Sequence, residues 1–182
     1  MVRLRMGLTV PDLAFRFQVS AGLVSQIFAT WIRLVAKELK WLIMWSSKKD
    51  IRRSLPESFK KWFPKGRTTI VCTEVFIETP SWLDVQAICW SEYKHHTTIK
   101  FLLAISPSGL IMYVSPWYGG RASDKYIVKD SGFLNFLEPY DHVMANRGFK
   151  ISDKLAPLQV MLTFTPPPPT VLVIICKCVE KT

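Results

Sequence analysis

Apolar side chains in the first 45 residues recur at the three-and-four spacing of amphipathic helices. A Thr-x-x-Asp pattern at Thr9 and Asp12 opens a helix over residues 9–17. Thr9 serves as its cap, Asp12 meets the positive end of the helix dipole, and Pro11 sits where first-turn amides have no intrahelical partner. After a break at Gln18 and Val19, Ser20 caps a second helix whose stripe is Val24, Ile27, Phe28, Trp31, Leu34 and Val35. That stripe is expected to pack inward and to leave Ala21, Gly22, Ser25, Gln26, Ala29 and Thr30 on the other face. Small and hydrogen-bonding residues of this kind can approach base edges. Two helices across a tight break form the helix-turn-helix pattern, although helical hairpins that only pack together share it.

Residues 46–69 are basic, polar and interrupted by Pro56 and Pro64, the texture of a connector with a short helix rather than of core. Beyond them the period changes. Stretches 69–77, 97–106 and 110–115 are rich in β-branched and apolar residues, and the turn at 106–109 makes the last two a hairpin. A helix over 123–137 is expected, capped by Ser123, with Gly132 as its weak point, and a short strand over 141–145. The end of the chain, with a proline tract at 166–169 and the apolar run VLVIIC, shows no recognisable element and has the composition of a frame change.

Charge sharpens the picture. Of the formal +10 over 182 residues, the whole excess lies in residues 1–70, which hold 14 Lys or Arg against 4 Asp or Glu. The remainder is balanced at 10 against 10. Such a field favours polyanions through counterion release from phosphates, which puts nucleic acid first, an anionic membrane surface second and a merely solvated face as the alternative. Within it, Arg33 and Lys37 are candidates for phosphate contacts, Ser20 for the helix start, and Ser25, Gln26 and Thr30 for reading bases. No apolar run approaches the roughly 18 residues of a membrane span, and the N-terminus lacks the apolar core of a secretory signal, so an intracellular protein without a membrane partner is expected. Cys72, Cys89, Cys176 and Cys178 have no CxxC spacing, and the three histidines complete no zinc set with them.

Five stretches, SLPESFKKWFP (54–64), CTEVFIETP (72–80), SEYKHHTTIKFLLAISPSG (91–109), GGRASDKYI (119–127) and ANRGF (145–149), resemble the DDE superfamily endonucleases of Harbinger and PIF-type transposable elements, over roughly residues 7–155. The resemblance implies a fold of class α plus α/β, in which an N-terminal helix-turn-helix (residues 1–45) and a basic linker (46–69) precede an incomplete RNase H-like DDE nuclease domain with a mixed sheet (70–155) and a divergent tail (156–182). It also implies a nuclear protein whose partner is double-stranded DNA, with a homo-oligomer or partner protein as in transposases. Its chemistry would be that of two Mg²⁺ or Mn²⁺ ions held by three carboxylates.

The positions that should carry those carboxylates depart from the pattern. Val71 precedes CTE, Asn146 precedes RGF, and the third acid has no counterpart. A hydrocarbon cannot ligate a hard cation and a neutral amide does so weakly, so no metal is expected to bind here. Glu74, Asp141 and Asp153 lie at odd offsets from these positions or outside the strand, which points them away from a common site. Asp124 is expected to serve helix capping, His95 and His96 to face opposite sides of a strand, and Trp82, Trp90 and Trp117 to pack rather than stack on bases. The expected function is DNA binding without catalysis; the alternatives are a nuclease with displaced ligands and a second half that never folds.

Overall fold

The computed structural model describes residues 2–146 and 149–164. They fall into two compact units, one up to Ile43 and one from Met44.

The first unit is helical: α1 (Val2–Met6), α2 (Val10–Phe17), α3 (Ala21–Glu38) and a 3₁₀ turn at Lys40–Leu42. Thr9 and Asp12 form a reciprocal capping box at 3.3 Å in each direction, and the Ser20 hydroxyl accepts from the Leu23 amide at 3.2 Å. Gln18 turns the chain in the left-handed conformation at φ 52°, and α2 and α3 meet at a 108° bend. Leu13 and Val24 are buried, with Phe28, Ile32 and Val35 half-buried, and the Arg3 guanidinium lies 4.2 Å from the centre of the Phe28 ring. The packed stripe is therefore narrower than expected. Ile27, Trp31 and Leu34 are 49%, 60% and 46% exposed, because at about 100° per residue they fall on the flank of the line through Val24, Phe28, Ile32 and Val35. No single described helix is long and apolar enough to cross a membrane.

The second unit opens with α4 (Lys48–Arg53) and α5 (Glu57–Trp62) and builds a mixed sheet from β1 (Gly66–Phe76), β2 (Trp90–Ser91), β3 (His96–Ile105), β4 (Ile111–Val114), β5 (Tyr118–Gly119), β6 (His142–Ala145) and β7 (Met161–Phe164). Between strands lie α6 (Leu83–Cys89), α7 (Asp124–Asp130) and α8 (Ser152–Leu155). The main path runs β2-β3-β1-β6-β7, with β4 and β5 also on β3. β1 pairs antiparallel with β3 from Thr69↔Ile105 to Phe76↔Thr98. β6 runs parallel to β1, and β7 parallel to β6. Ile70, Leu102, Ala104, Val143 and Ala145 from the sheet bury against Ile127, Val128 and Phe133, all with 0% exposure. These alternate positions on three strands and one turn of helix are the core.

Four expectations change. Residues 46–69, expected as connector, hold two helices, and Ile51 and Leu55 are buried with Met112; the one-turn spacing of that apolar pair is masked by surrounding lysines and arginines. The helix from Asp124 stops at Asp130, because Gly132 takes φ 80° and the chain continues as a 3₁₀ turn through Phe133–Phe136. His95 is not on a strand: it sits in a turn at φ 50°, and β3 begins at His96. Finally, Met161–Phe164 forms a strand where no element was expected, in a stretch whose two exposed and two half-buried positions give no clear alternation. The proline tract and the VLVIIC run lie outside the described residues.

Candidate nucleic-acid interface and family acid positions

On α3 the residues expected to meet DNA form one line. Gln26, Thr30, Arg33 and Lys37 are spaced four, three and four apart, which places them within about a 60° arc at roughly 100° per residue. All four are exposed, diametrically opposite Val24, Phe28 and Val35. The line extends about 16 Å along the helix, and its polar end lies at the N-terminal part, where recognition helices touch base edges. Ser25 is exposed beside it. Two hydroxyls are already engaged: Ser20 caps the helix, and Thr30 donates to the Gln26 carbonyl at 2.9 Å. Gln26, Arg33 and Lys37 are thus the long side chains with reach. Two helices meeting at 108° across a three-residue break match the helix-turn-helix geometry of about 90–120°.

In the second unit, the parallel ladder of β1 on β6 pairs Thr69 with Met144 and Ile70 with Ala145. Carried one residue further, that register sets Val71 beside Asn146. The two positions at which the family resemblance implies carboxylates are therefore neighbours, about 5 Å apart across adjacent strands. Ile70 and Ala145 are fully buried just before them, Val71 is half-buried and Asn146 exposed. Neither side chain at these positions carries a charge. An isopropyl group and a neutral amide do not fit a divalent cation, which prefers anionic oxygen ligands.

The nearby acids are committed elsewhere. Glu74 faces away from Val71, pairs with Lys100 at 3.0 Å and accepts from the Thr98 hydroxyl at 3.2 Å. Lys100 also reaches Asp124 at 3.4 Å and the Ala122 carbonyl at 3.2 Å. Burial pushes the Glu74 carboxyl up, but hydrogen bonds from Ser91, Lys100 and Thr98 outweigh it and hold the group below the usual range. Burial likewise pushes Lys100 down, and its two carboxylate partners more than restore it. The Cys72 thiol is driven far up by burial and by the Asp124 carboxylate, so it is no nucleophile. Asp124 sits in the first turn of α7 behind the Ser123 cap, where it favours the helix dipole. Asp141, 2% exposed, accepts from the Glu138 amide at 2.9 Å and pairs with Lys48 at 3.1 Å. Asp153 pairs with Lys125 at 2.9 Å. Among the described residues no three His, Cys, Asp or Glu side chains form a group able to hold a metal.

Sequence reasoning passed over Lys100 and Arg67 and counted Lys48 only within the basic field, whereas all three organise these acids. A lysine inside the apolar run of 97–105 was the available signal for Lys100. Trp82 and Trp117 are 78% and 70% exposed and Trp90 is 43% exposed, so none is a core residue.

Comparison with known families agrees with this layout. The family described as the helix-turn-helix of DDE superfamily endonuclease matches residues 1–40, and the DDE superfamily endonuclease family matches residues 70–167, a stretch that includes β7. No curated protein and no solved structure gives a significant match. The chain therefore belongs to the DDE superfamily endonucleases, and is a transposase-derived DNA-binding protein with the helix-turn-helix of that superfamily ahead of its nuclease fold.

Proposed function

We propose that this protein binds double-stranded DNA through α3 and does not cut it. The observation that carries the reading is the parallel register of β1 and β6, which ends at Ile70↔Ala145 and, carried one residue on, sets Val71 beside Asn146. DDE endonucleases work with divalent metal ions, and Val71 and Asn146, at the positions where the family resemblance implies carboxylates, supply no anionic oxygen to hold them. What remains is a basic helical unit whose exposed line on α3 combines an amide side chain with two cations. Arg33 and Lys37 would anchor to phosphates, while Gln26 and Ser25 would face base edges. We further propose a Harbinger-type origin, a nuclear location, and a division of labour in which residues 1–45 read DNA and residues 70–155 form the inactive nuclease remnant. A homo-oligomer or a partner protein would supply any assembly.

Fluorescence anisotropy with labelled duplex DNA at several salt concentrations tests the binding. The expected result is affinity that falls steeply with salt and drops in a Gln26→Ala, Arg33→Ala variant. Absence of binding at low salt would reduce the basic unit to a solvated face. Incubation with supercoiled DNA and Mg²⁺ or Mn²⁺ tests the second half of the proposal. Intact plasmid is expected; nicking that a chelator abolishes would instead establish a nuclease with displaced ligands.

A further inference from the structure

The nuclease unit contains a cavity of about 240 Å³ walled by α4, the segment leading into β1 and the turn before β6. Four cations line it: Lys48, Arg52, Lys65 and Arg67. Asp141 also lines it, and Glu138 stands behind, so four positive groups face two negative ones. Lys48 pairs with both acids, at 3.2 Å from Glu138 and 3.1 Å from Asp141, and fills its third donor direction with the Pro139 carbonyl at 3.1 Å. It has little left for a ligand.

Arg67 is different. Its side chain is 3% exposed, yet Nε and Nη1 have no hydrogen-bond partner. Asp141 and Glu138 lie 3.7 Å away, outside hydrogen-bond distance, because Lys48 holds them. The guanidinium is steadied by the Trp45 ring, whose centre is 5.3 Å from Cζ. A buried guanidinium with unmet donors is costly, and an anionic oxygen that reaches Nε or Nη1 relieves that cost with a charge-assisted hydrogen bond. Arg52 and Lys65 are exposed at the same cavity and add two cations that no carboxylate within the cavity engages. The volume is several times the roughly 30 Å³ share of a water molecule, enough for a phosphate group and its hydration.

We propose that this cavity is a binding site for a phosphate group, held by the Arg67 guanidinium from within and by Arg52 and Lys65 at the mouth. The site is separate from α3 and does not depend on the reading of that helix. The phosphate can belong to a DNA backbone or to a free phosphate, and the test distinguishes them.

Isothermal titration calorimetry of the full chain with inorganic phosphate is compared for the wild type, an Arg52→Ala, Lys65→Ala variant and a Lys129→Ala variant, whose side chain is exposed on α7 away from the cavity lining. Phosphate uptake is expected to weaken about tenfold in the first variant, from loss of charge-assisted hydrogen bonds, and to be unchanged in the second. Both cavity substitutions are at exposed side chains, and should that variant not fold, Arg67→Lys, which keeps the charge and removes the Nε and Nη1 donors, replaces it with the same expectation. No phosphate uptake by the wild type, or equal uptake by the cavity variant, overturns the proposal. Duplex DNA titrated against salt identifies the source. A salt slope smaller by about one in the cavity variant assigns the phosphate to the DNA backbone, and an unchanged slope alongside lost uptake assigns it to the free anion.

Discussion

Placing carboxylates at Val71 and Asn146 tests the register on which the functional proposal stands. In a Val71→Asp, Asn146→Asp variant, neighbouring strands would set two carboxylates about 5 Å apart. Their repulsion amounts to about 0.8 kcal/mol in bulk water and about 3 kcal/mol at an effective dielectric constant near 20. Val71 is half-buried and Asn146 exposed, so the true value falls between those limits. Each single substitution has its own cost, above all the loss of the Val71 isopropyl group from its packing. A double-mutant cycle removes those costs and leaves the coupling, expected at about 1–2 kcal/mol of extra destabilisation. Urea melts of the four proteins at neutral pH with chelator give this number. Repeating them with Mn²⁺ should recover the coupling and exceed it, because an ion at 100 times its dissociation constant adds about 2.7 kcal/mol to the folded state. Below about pH 4 the repulsion should vanish as the carboxylates protonate. A coupling indistinguishable from zero in chelator, with no response to metal, would refute the adjacency of residues 71 and 146 and with it the reading that rests on their register.

Three further substitutions probe the fold around the sites. Glu74→Gln should cost about 2 kcal/mol by weakening the partner of a nearly buried Lys100, and it should flatten the acid limb of stability. Because the folded Glu74 carboxyl titrates below its ordinary value of about 4.3, its contribution is complete above that value and is lost as the pH falls through the lower folded one, so melts taken across that range should differ between wild type and variant. Ser20→Ala removes the acceptor for the Leu23 amide and should lower the stability of α3 by about 1 kcal/mol, seen as earlier loss of helical circular dichroism. Gly119→Ala would drive a methyl group against the Ile88 carbonyl oxygen and to 2.5 Å from its Cγ2, so an overpacking cost of about 1–3 kcal/mol is expected in thermal melts.

Where the sequence was legible, local chemistry agreed with the final structure. Thr9, Asp12, Ser20 and Ser123 cap the helices their patterns announced, and the hairpin through Ser106 and Gly109 closes as its turn residues require. The line Gln26, Thr30, Arg33, Lys37 could be drawn from spacing alone. Less visible were features whose partners are remote. Ile51 and Leu55 are an isolated apolar pair in a field of charge until Met112 covers them. Met161–Phe164 becomes a strand because β6 offers it an edge, from His142↔Met161 to Ala145↔Phe164, not because its residues alternate. The α6 helix carries an exposed Leu83, Val85 and Ile88, so no buried stripe marks it. For Val71 and Asn146, the family resemblance supplied the identities and only the β1–β6 register supplied their proximity.

The bond from Lys48 to the Pro139 carbonyl joins residues 91 positions apart, and it bears on how the chain finishes folding. At roughly 5–20 residues per second of synthesis, α4 would wait about 5–18 s on the ribosome before the turn that anchors it emerges. Throughout that interval Arg67 has neither carboxylate within reach, and Ile51 and Leu55 remain open until Met112 arrives. The helices before Ile43 complete their contacts within a few tens of residues and face no such delay. The N-terminal unit is thus an early, locally closing folder, and the sheet that follows is a late one whose parallel strands must be gathered from far along the chain. A ribosome stalled before residue 139 would display a finished helix-turn-helix tethered to an unfinished remainder with its apolar positions still open, the form of the protein most in need of a chaperone.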